Sequence, residues 1–267
     1  MQLNDLRYLR CPMCHSALRL HIGDGRHGSV RCASNTHTYD IRHGILDLLP
    51  APQPKSIAAW SNEFPFTAWA YERLWRPYAL RILSGTALGY DREQTIIATA
   101  LTTPPKLIVD IACSNGLYAR FAAYAYPSAA IIGIDRAMPM LIEAQRRADA
   151  ARLPISYIRA DARSLPMSRG IADGIVIGGS LNEMEELPQV FAEVARIAAP
   201  KSTLVNMALT KATTFFGKLI QALLAPGGIT FFDPDSISAQ FVHTGWQIQS
   251  STQTGIVWFV QATRTGA

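Results

Sequence analysis

From Lys106 onward, short β-rich runs alternate with longer helical ones, and this alternation restricts the chain to a parallel sheet covered on both faces by helices. Leu107-Ile108-Val109-Asp110-Ile111 reads as the first strand. A turn of small residues, Ala112-Cys113-Ser114-Asn115-Gly116, leads from it into a helix from Leu117 to about Tyr126. A second strand from Ala130 to Ile134 ends at Asp135. Helix Met138 to Ala151, strand Ile155 to Arg159, an acidic turn at Asp161, strand Gly174 to Ile177, helix Leu187 to Ala199 and strand Thr203 to Met207 follow. Trp246 to Ser250 and Ile256 to Val260 read as a closing antiparallel hairpin around Gly255.

Such sheets bind ligands at the carboxyl ends of their strands, where a turn of small residues lets the backbone approach and a helix N-terminus opens. Asp135, at the end of the second strand, is placed to accept hydrogen bonds from two ribose hydroxyls. A dinucleotide site calls for Gly-x-Gly-x-x-Gly after the first strand to admit a pyrophosphate. Here the pattern is acid-x-small-x-small-x-Gly from Asp110 to Gly116, which suits a nucleoside ligand without phosphates.

Cysteine usage marks off the N-terminal part. Cys11, Cys14 and Cys32 fall within the first 32 residues and Cys113 stands apart, so the spacing is not that of a disulfide framework. Cys11 and Cys14 form a Cys-x-x-Cys turn, and His37 follows Cys32 closely. Two such knuckles joined by a hairpin with Gly23, Gly25 and Gly28 near its tip supply four ligands for a structural Zn²⁺: Cys11, Cys14, Cys32 and His37. His15, His21 and His27 are alternative fourth ligands, and a redox Cys-x-x-Cys is the competing reading. A segment this small folds with difficulty on apolar contacts alone.

Pro50, Pro52 and Pro54 mark an extended spacer. The chain is thus expected to comprise a ribbon over 1–50, a linker with an aromatic helical lid over 51–94, and a main domain over 95–267. The middle part carries Trp60, Phe64, Phe66, Trp69, Tyr71, Trp75 and Tyr78, which suit either an apolar face packed on the main domain or a wall over a substrate pocket. At 49% hydrophobic and 17% charged, the 267-residue chain is globular rather than disordered. Its net charge of +5 is scattered, which permits an anionic partner without requiring one. No apolar run is long enough to span a membrane and no secretory signal is visible, so a cytoplasmic location is expected.

Four segments now carry a family resemblance: Val109 to Gly116; Gly133-Ile134-Asp135 with Met140-Leu141 and Ala144; Arg159 to Ala162 with Leu165-Pro166; and Phe191 to Ile197. Together they resemble class I S-adenosylmethionine (SAM)-dependent methyltransferases of the type 11-like group, over about Thr95 to Thr263. The resemblance implies an α/β fold with a Rossmann-like seven-stranded sheet, one strand of it antiparallel. It places Asp110 and Gly116 around the methionine end of SAM, Asp135 on the ribose, and Asp161 with Ala162 near the adenine. Ala112, Ser114, Arg136, Met140 and Gly178 complete the expected cofactor-binding set. The family usually has glycines where this chain has Ala112 and Ser114, so some weakening of SAM binding is expected. It also usually has Lys-Pro-Gly-Gly where this chain has Ala199-Pro200-Lys201-Ser202.

Cys-Pro-x-Cys-His at Cys11, the later Cys32 and His37, Tyr39-Asp40, and Gly44 to Pro50 resemble the zinc domain of ribosomal RNA guanine-N1 methyltransferases. The spacing from Cys32 to His37 is one residue longer than that family's. Trp75-Arg76-Pro77 and the surrounding aromatics are more similar to zinc-ribbon methyltransferases of unassigned substrate from photosynthetic lineages.

Methyl transfer from a sulfonium needs alignment, desolvation and, for a poorly acidic acceptor, a base. Asn182 and Glu183, after the fourth strand, are the candidates to orient or deprotonate the acceptor, with helix capping as the alternative role. The leading expectation is a small apolar or aromatic acceptor, capped by Phe215, Phe216, Leu219, Leu223, Phe231 and Phe232. An RNA base, bound through Arg7, Arg10, Arg19, Arg26 and Arg31, is the second; residues 1–50 hold six arginines and four aspartates, only a modest excess. A zinc-containing interaction protein with a decayed SAM site is the third.

Overall fold

The computed structural model describes residues 1–49, 64, 66, 67, 76, 89–101 and 103–266, with Phe216 described in its backbone only. The Pro50 to Pro54 spacer and the lid aromatics Trp60, Trp69, Tyr71, Trp75 and Tyr78 lie outside the described residues.

Among the described residues eleven strands form one sheet. They are β1 (Leu18–Gly23), β2 (Gly28–Cys32), β3 (Thr38–Arg42), β4 (Ile45–Asp47), β5 (Leu107–Ile111), β6 (Ala130–Asp135), β7 (Ile155–Arg159), β8 (Ala172–Gly178), β9 (Ala198–Leu209), β10 (Trp246–Thr254) and β11 (Val257–Arg264). The order is β1-β2-β3-β4-β7-β6-β5-β8-β9-β11-β10. Its last seven members are the expected Rossmann-like sheet. β5 to β9 run parallel, and β11 enters antiparallel between β9 and β10. β5 is buried along its whole length, which is why it reads as a continuous apolar run around Asp110.

Six α-helices are described: α1 (Tyr90–Ala100), α2 (Leu117–Ala125), α3 (Met138–Ala150), α4 (Leu187–Ile197), α5 (Phe215–Leu224) and α6 (Pro234–His243). Strand side chains alternate between two faces. Ile108, Ile131, Tyr157 and Val176 pack with Ile97 of α1, Phe121 of α2 and Leu141 of α3. Val109, Ile132, Ile175 and Leu204 pack with Phe191 of α4 and Phe241 of α6, whose rings meet edge to face at 4.9 Å. The helix expected to reach Ala199 stops at Ile197 because Ala198 pairs with Ala172 and enters the sheet. β9 then runs on to Leu209, two residues past the expected end.

The N-terminal ribbon continues this sheet. β4 pairs in parallel with β7, aligning Ile45 with Tyr157, Leu46 with Ile158 and Asp47 with Arg159. Val30, Ile41 and Leu46 share one apolar cluster with Ile132, Ile158 and Met167. Polar bonds follow the same seam. Ser156 Oγ donates to Asp5 Oδ2 at 2.6 Å, and the Arg159 guanidinium lies 3.1 Å from Asp47 Oδ2. Among the described residues no helix is long and apolar enough to cross a membrane.

Leu46 is completely buried at this seam. Leu46→Ala is expected to cost about 3 kcal/mol through lost burial and the cavity left behind. Urea denaturation followed in both ribbon and core would show one transition at a lower midpoint; a ribbon that melts alone with the core midpoint unmoved would contradict a shared core.

Candidate functional site

The loop after β5 passes through the left-handed region three times, at Ala112 (φ 51°), Ser114 (φ 50°) and Gly116 (φ 72°). Only glycine takes this conformation without steric cost. Contacts on both sides hold the two L-residues there. Ser114 N–H donates to Asp135 Oδ2 at 2.7 Å, Cys113 N–H to the Ile134 carbonyl at 2.9 Å, and Ser180 Oγ to the Ala112 carbonyl at 2.8 Å. A Cβ at Gly116 would lie 2.3 Å from the Tyr157 hydroxyl, so this position excludes any side chain.

Gly116 starts α2 without a capping side chain, and Asp110 supplies one from the strand below. Its Oδ2 accepts from Ala119 N–H at 2.8 Å. Oδ1 has no hydrogen-bond partner among the described residues, although Asp110 is only 1% exposed. Burial pushes its pKa up to about 8. The Asn115 side chain, from the loop that follows, is equally buried and its amide likewise has no partner among the described residues. Buried polar atoms without partners are rare in folded proteins, so these two groups make this loop a candidate ligand position.

The other expected cofactor residues lie along the same sheet end. Asp135 is half-buried and accepts from Ser114 N–H and, at 2.9 Å, Ala137 N–H. Burial raises its pKa against those hydrogen bonds. Met140 is buried, with its Sδ 3.5 Å from Ser114 Oγ, and the Arg136 carbonyl accepts from Arg159 Nε. Asp161, just beyond β7, takes two bonds from the Arg163 guanidinium, at 3.0 and 2.7 Å. Burial works to raise its pKa, but those bonds and the charge of Arg163 bring it below the ordinary carboxylate value. Ala162 follows it, half-buried. Gly178 ends β8, where a Cβ would collide with the Tyr118 ring.

Asn182 is 1% exposed, in the short turn Leu181–Glu183. Its Nδ2 donates to the carbonyls of Leu209 and Thr230 at 2.8 and 2.5 Å, and its Oδ1 accepts from Leu209 N–H at 2.8 Å. Both donors are thereby committed to backbone at the two ends of the segment between β9 and α6. Glu183 next to it is exposed.

At the far edge of the sheet, one atom each from Cys11, Cys14, Cys32 and His37 lies within 4.8 Å of every other. His37 Nδ1 is 3.6 Å from Cys11 Sγ and 3.8 Å from Cys32 Sγ. A tetrahedral zinc with thiolates at about 2.3 Å needs ligand atoms about 3.5–3.8 Å apart, so the donor set fits. It is His37, rather than His15, His21 or His27, that joins the three sulfurs. Hydroxyls of Ser16 and Ser34 lower the Cys14 thiol to about 6. Cys32 is raised by burial, but Ser34, Thr36 and the His37 N–H bring it down to about 4. Thiolates are the metal-binding form.

The parallel strands of this sheet end at one rim, and residues 108–201 match the profile of a family described as "Methyltransferase domain". The chain has a class I methyltransferase fold. It is 34% identical over 126 residues to a demethylmenaquinone methyltransferase of Thermus thermophilus, covering 47% of this chain and 56% of that protein. It is 24% identical over 216 residues to an uncharacterised chloroplastic methyltransferase of Arabidopsis thaliana, covering 74% of this chain and 60% of the relative. The chain therefore spans little more than half the length of these relatives. A solved SAM-dependent methyltransferase from Aquifex aeolicus superposes with a TM-score of 0.58 at 15% identity, over 75% of this chain and 98% of that one.

Within the methyltransferase fold, one charged group escaped the sequence reading. Glu93 of α1 is fully buried and receives the Arg76 guanidinium at 2.8 and 2.6 Å. Tyr118 of α2 donates its hydroxyl to the same carboxylate. Arg76 also lies 5.2 Å from the centre of the Tyr118 ring, a cation–π distance. The signal was available, because Glu93 interrupts the buried stripe with Ile97 and Ala100 and a carboxylate there needs a partner.

Ala112→Gly and Ser114→Gly each relieve about 1 kcal/mol of left-handed strain and return roughly half of it as unfolded-state entropy. Each variant should melt about one to two degrees higher by calorimetry; a marked drop would show that the side chains do more than fill space. For Asp110, the folded ligand-free protein holds a proton that the unfolded chain releases in the ordinary carboxylate range. Its contribution is therefore present at low pH and is lost as pH rises toward 8. Asp110→Asn should match the wild type near pH 4 and exceed it near pH 8, as read by denaturant midpoints at each pH.

Proposed function

We propose that this chain is a SAM-dependent methyltransferase that modifies a small apolar or aromatic metabolite and carries a structural zinc in its ribbon. The observation that carries the reading is the unpartnered, buried Asp110 oxygen beside a left-handed loop tied to Asp135. That arrangement costs stability in the ligand-free protein, and a cationic ligand end at Asp110 offsets the cost. A decayed site has no reason to keep it, which argues against a solely interacting role.

Asp110, Gly116 and the loop between them would hold the methionine end of SAM, Asp135 the ribose, and Asp161 with Ala162 the adenine. When bound, SAM supplies a methyl group on a sulfonium whose departure needs no further activation. The protein's part is positioning and desolvation. Ser180 fixes the Ala112 carbonyl and so the loop. We assign Asn182 to holding the neck of the segment between β9 and α6, and Glu183, exposed at the same rim, to orienting or deprotonating the acceptor. In the ribbon over 1–50, Cys11, Cys14, Cys32 and His37 would hold zinc and stiffen the strands that extend the sheet. The aromatic stretch of 51–94 is assigned to covering the acceptor, and 95–267 to methyl transfer.

A small acceptor is favoured over RNA because the Thermus relative is named for a quinone substrate and the ribbon carries only a modest basic excess. The test is to incubate the purified protein with methyl-labelled SAM and a cell extract, then partition label between organic solvent, protein and RNA, and to assay bound metal. Label in the organic phase and one zinc per chain are expected. Asp135→Asn should weaken SAM binding by about 30-fold, the worth of a hydrogen bond to a charged group. Label in RNA would reverse the choice of acceptor, and absence of SAM affinity would overturn the enzyme reading.

A further inference from the structure

Glu93 stands where packing alone calls for an apolar residue. It lies fully enclosed on the buried stripe of α1, and groups from two other stretches of chain close around it. The Arg76 guanidinium meets both its oxygens, at 2.8 and 2.6 Å, and also donates to the Tyr118 hydroxyl at 3.0 Å. Tyr118 in turn donates its hydroxyl hydrogen to Glu93, which closes a triangle of hydrogen bonds. The centres of the Tyr90 and Tyr118 rings lie 5.5 and 5.2 Å from the guanidinium carbon. Arg76 and Tyr118 are themselves buried.

Stability does not account for this arrangement. A buried ion pair loses in hydration about what it gains in attraction, and apolar side chains of similar volume often serve as well or better. What the charged pair adds is direction. A planar fork on a planar carboxylate favours one geometry, and here that geometry fixes the Tyr118 hydroxyl as well.

The ring held in this way lies at the candidate site. Tyr118 is in the first turn of α2, just beyond Gly116, and its ring packs on Gly178 at the end of β8, where a Cβ would run into it. Phe121 meets the ring edge to face at 6.0 Å. The contact with Gly178 therefore ties the loop after β5 to the loop after β8, which the bond from Ser180 Oγ to the Ala112 carbonyl also joins. Burial raises the pKa of Asp110, and the charges of Arg120 and Arg76 are among the groups that oppose it, so Arg76 lies within electrostatic reach of that acid too.

Resting on the methyl-transfer reading above, we propose that Arg76 and Glu93 are positioning residues for cofactor binding: through the Tyr118 hydroxyl they hold its ring against Gly178 and fix the spacing of the two loops that would receive SAM. Neither residue needs to touch the cofactor for this. Their effect reaches it through the ring.

Calorimetric titration of the full chain with SAM, alongside melting temperatures, tests the assignment. In Arg76→Met/Glu93→Leu both charges leave together, so no lone charge is buried, and the melting temperature should stay within about three degrees of wild type or rise. SAM affinity should nonetheless fall by about tenfold, because the ring is no longer held. Tyr118→Phe, which keeps the ring and the ion pair, should lose about fivefold by itself and less than about twofold more in the background of the apolar pair. Unchanged SAM affinity in Tyr118→Phe, or in an apolar-pair variant that melts like wild type, overturns the positioning role and leaves the triangle a packing feature. So does full additivity of the two losses. A wild-type chain that binds no SAM overturns the methyl-transfer reading itself, and the positioning role with it.

Discussion

The hydrogen bond from Ser114 N–H to Asp135 joins the ends of two parallel strands, and the candidate site is arranged around it. It holds the loop after β5 in a conformation that two of its residues would not choose, with the Ser180 hydroxyl bracing the other side. Once that loop is fixed, Gly116 opens α2, Asp110 caps it from below, and one oxygen of Asp110 is left over. The Asp135 carboxylate thus sets the shape of the whole loop after β5. Such a carboxylate couples the two halves of the site: a change at Asp135 is felt at Ala112 through the backbone between them.

Much of this was legible in the sequence because parallel strands buried on both faces leave a strong apolar signature. β5, β6 and β7 fall within a residue of their expected limits, and the closing hairpin turns at Gly255 as read. The glycine preference at positions 112 and 114 could be stated from the resemblance, but its cause could not. The structure supplies it in backbone angles rather than in the bulk of side chains. α6 was missed although Asp233 and Pro234 form a cap and first turn, because its apolar spacing is weak and only Ile237 and Phe241 are buried. α1 was missed for a related reason, its buried face containing Glu93 where periodicity expects an apolar residue.

What composition could not convey was adjacency. The spacing of cysteines brought out the Cys/His cluster, yet nothing in it told that β4 would run parallel to β7 and make the ribbon part of the sheet. Long-range parallel pairing leaves no local trace, since each partner sees only an apolar run. Asn182 shows the same limit: a capping residue and a clamp across two distant backbone segments look alike in one dimension.

The ribbon also changes where the sheet stops. Without β1 to β4, the unpaired edge would be β7, one strand from Asp135 and directly beside Asp161. With them, the open row of amides moves outward by four strands, about 19 Å at ordinary strand spacing. It ends on β1, whose outer residues include Arg19 and His21 and whose pairing is broken by an irregularity between Leu20 and Ile22. At the opposite border β10 has a comparable break between Ile248 and Ser250. Irregular, polar borders resist the strand-to-strand association that drives aggregation. Loss of the ribbon's pairing would therefore matter for solubility as well as for folding, by leaving β7 as an unpaired border beside Asp161.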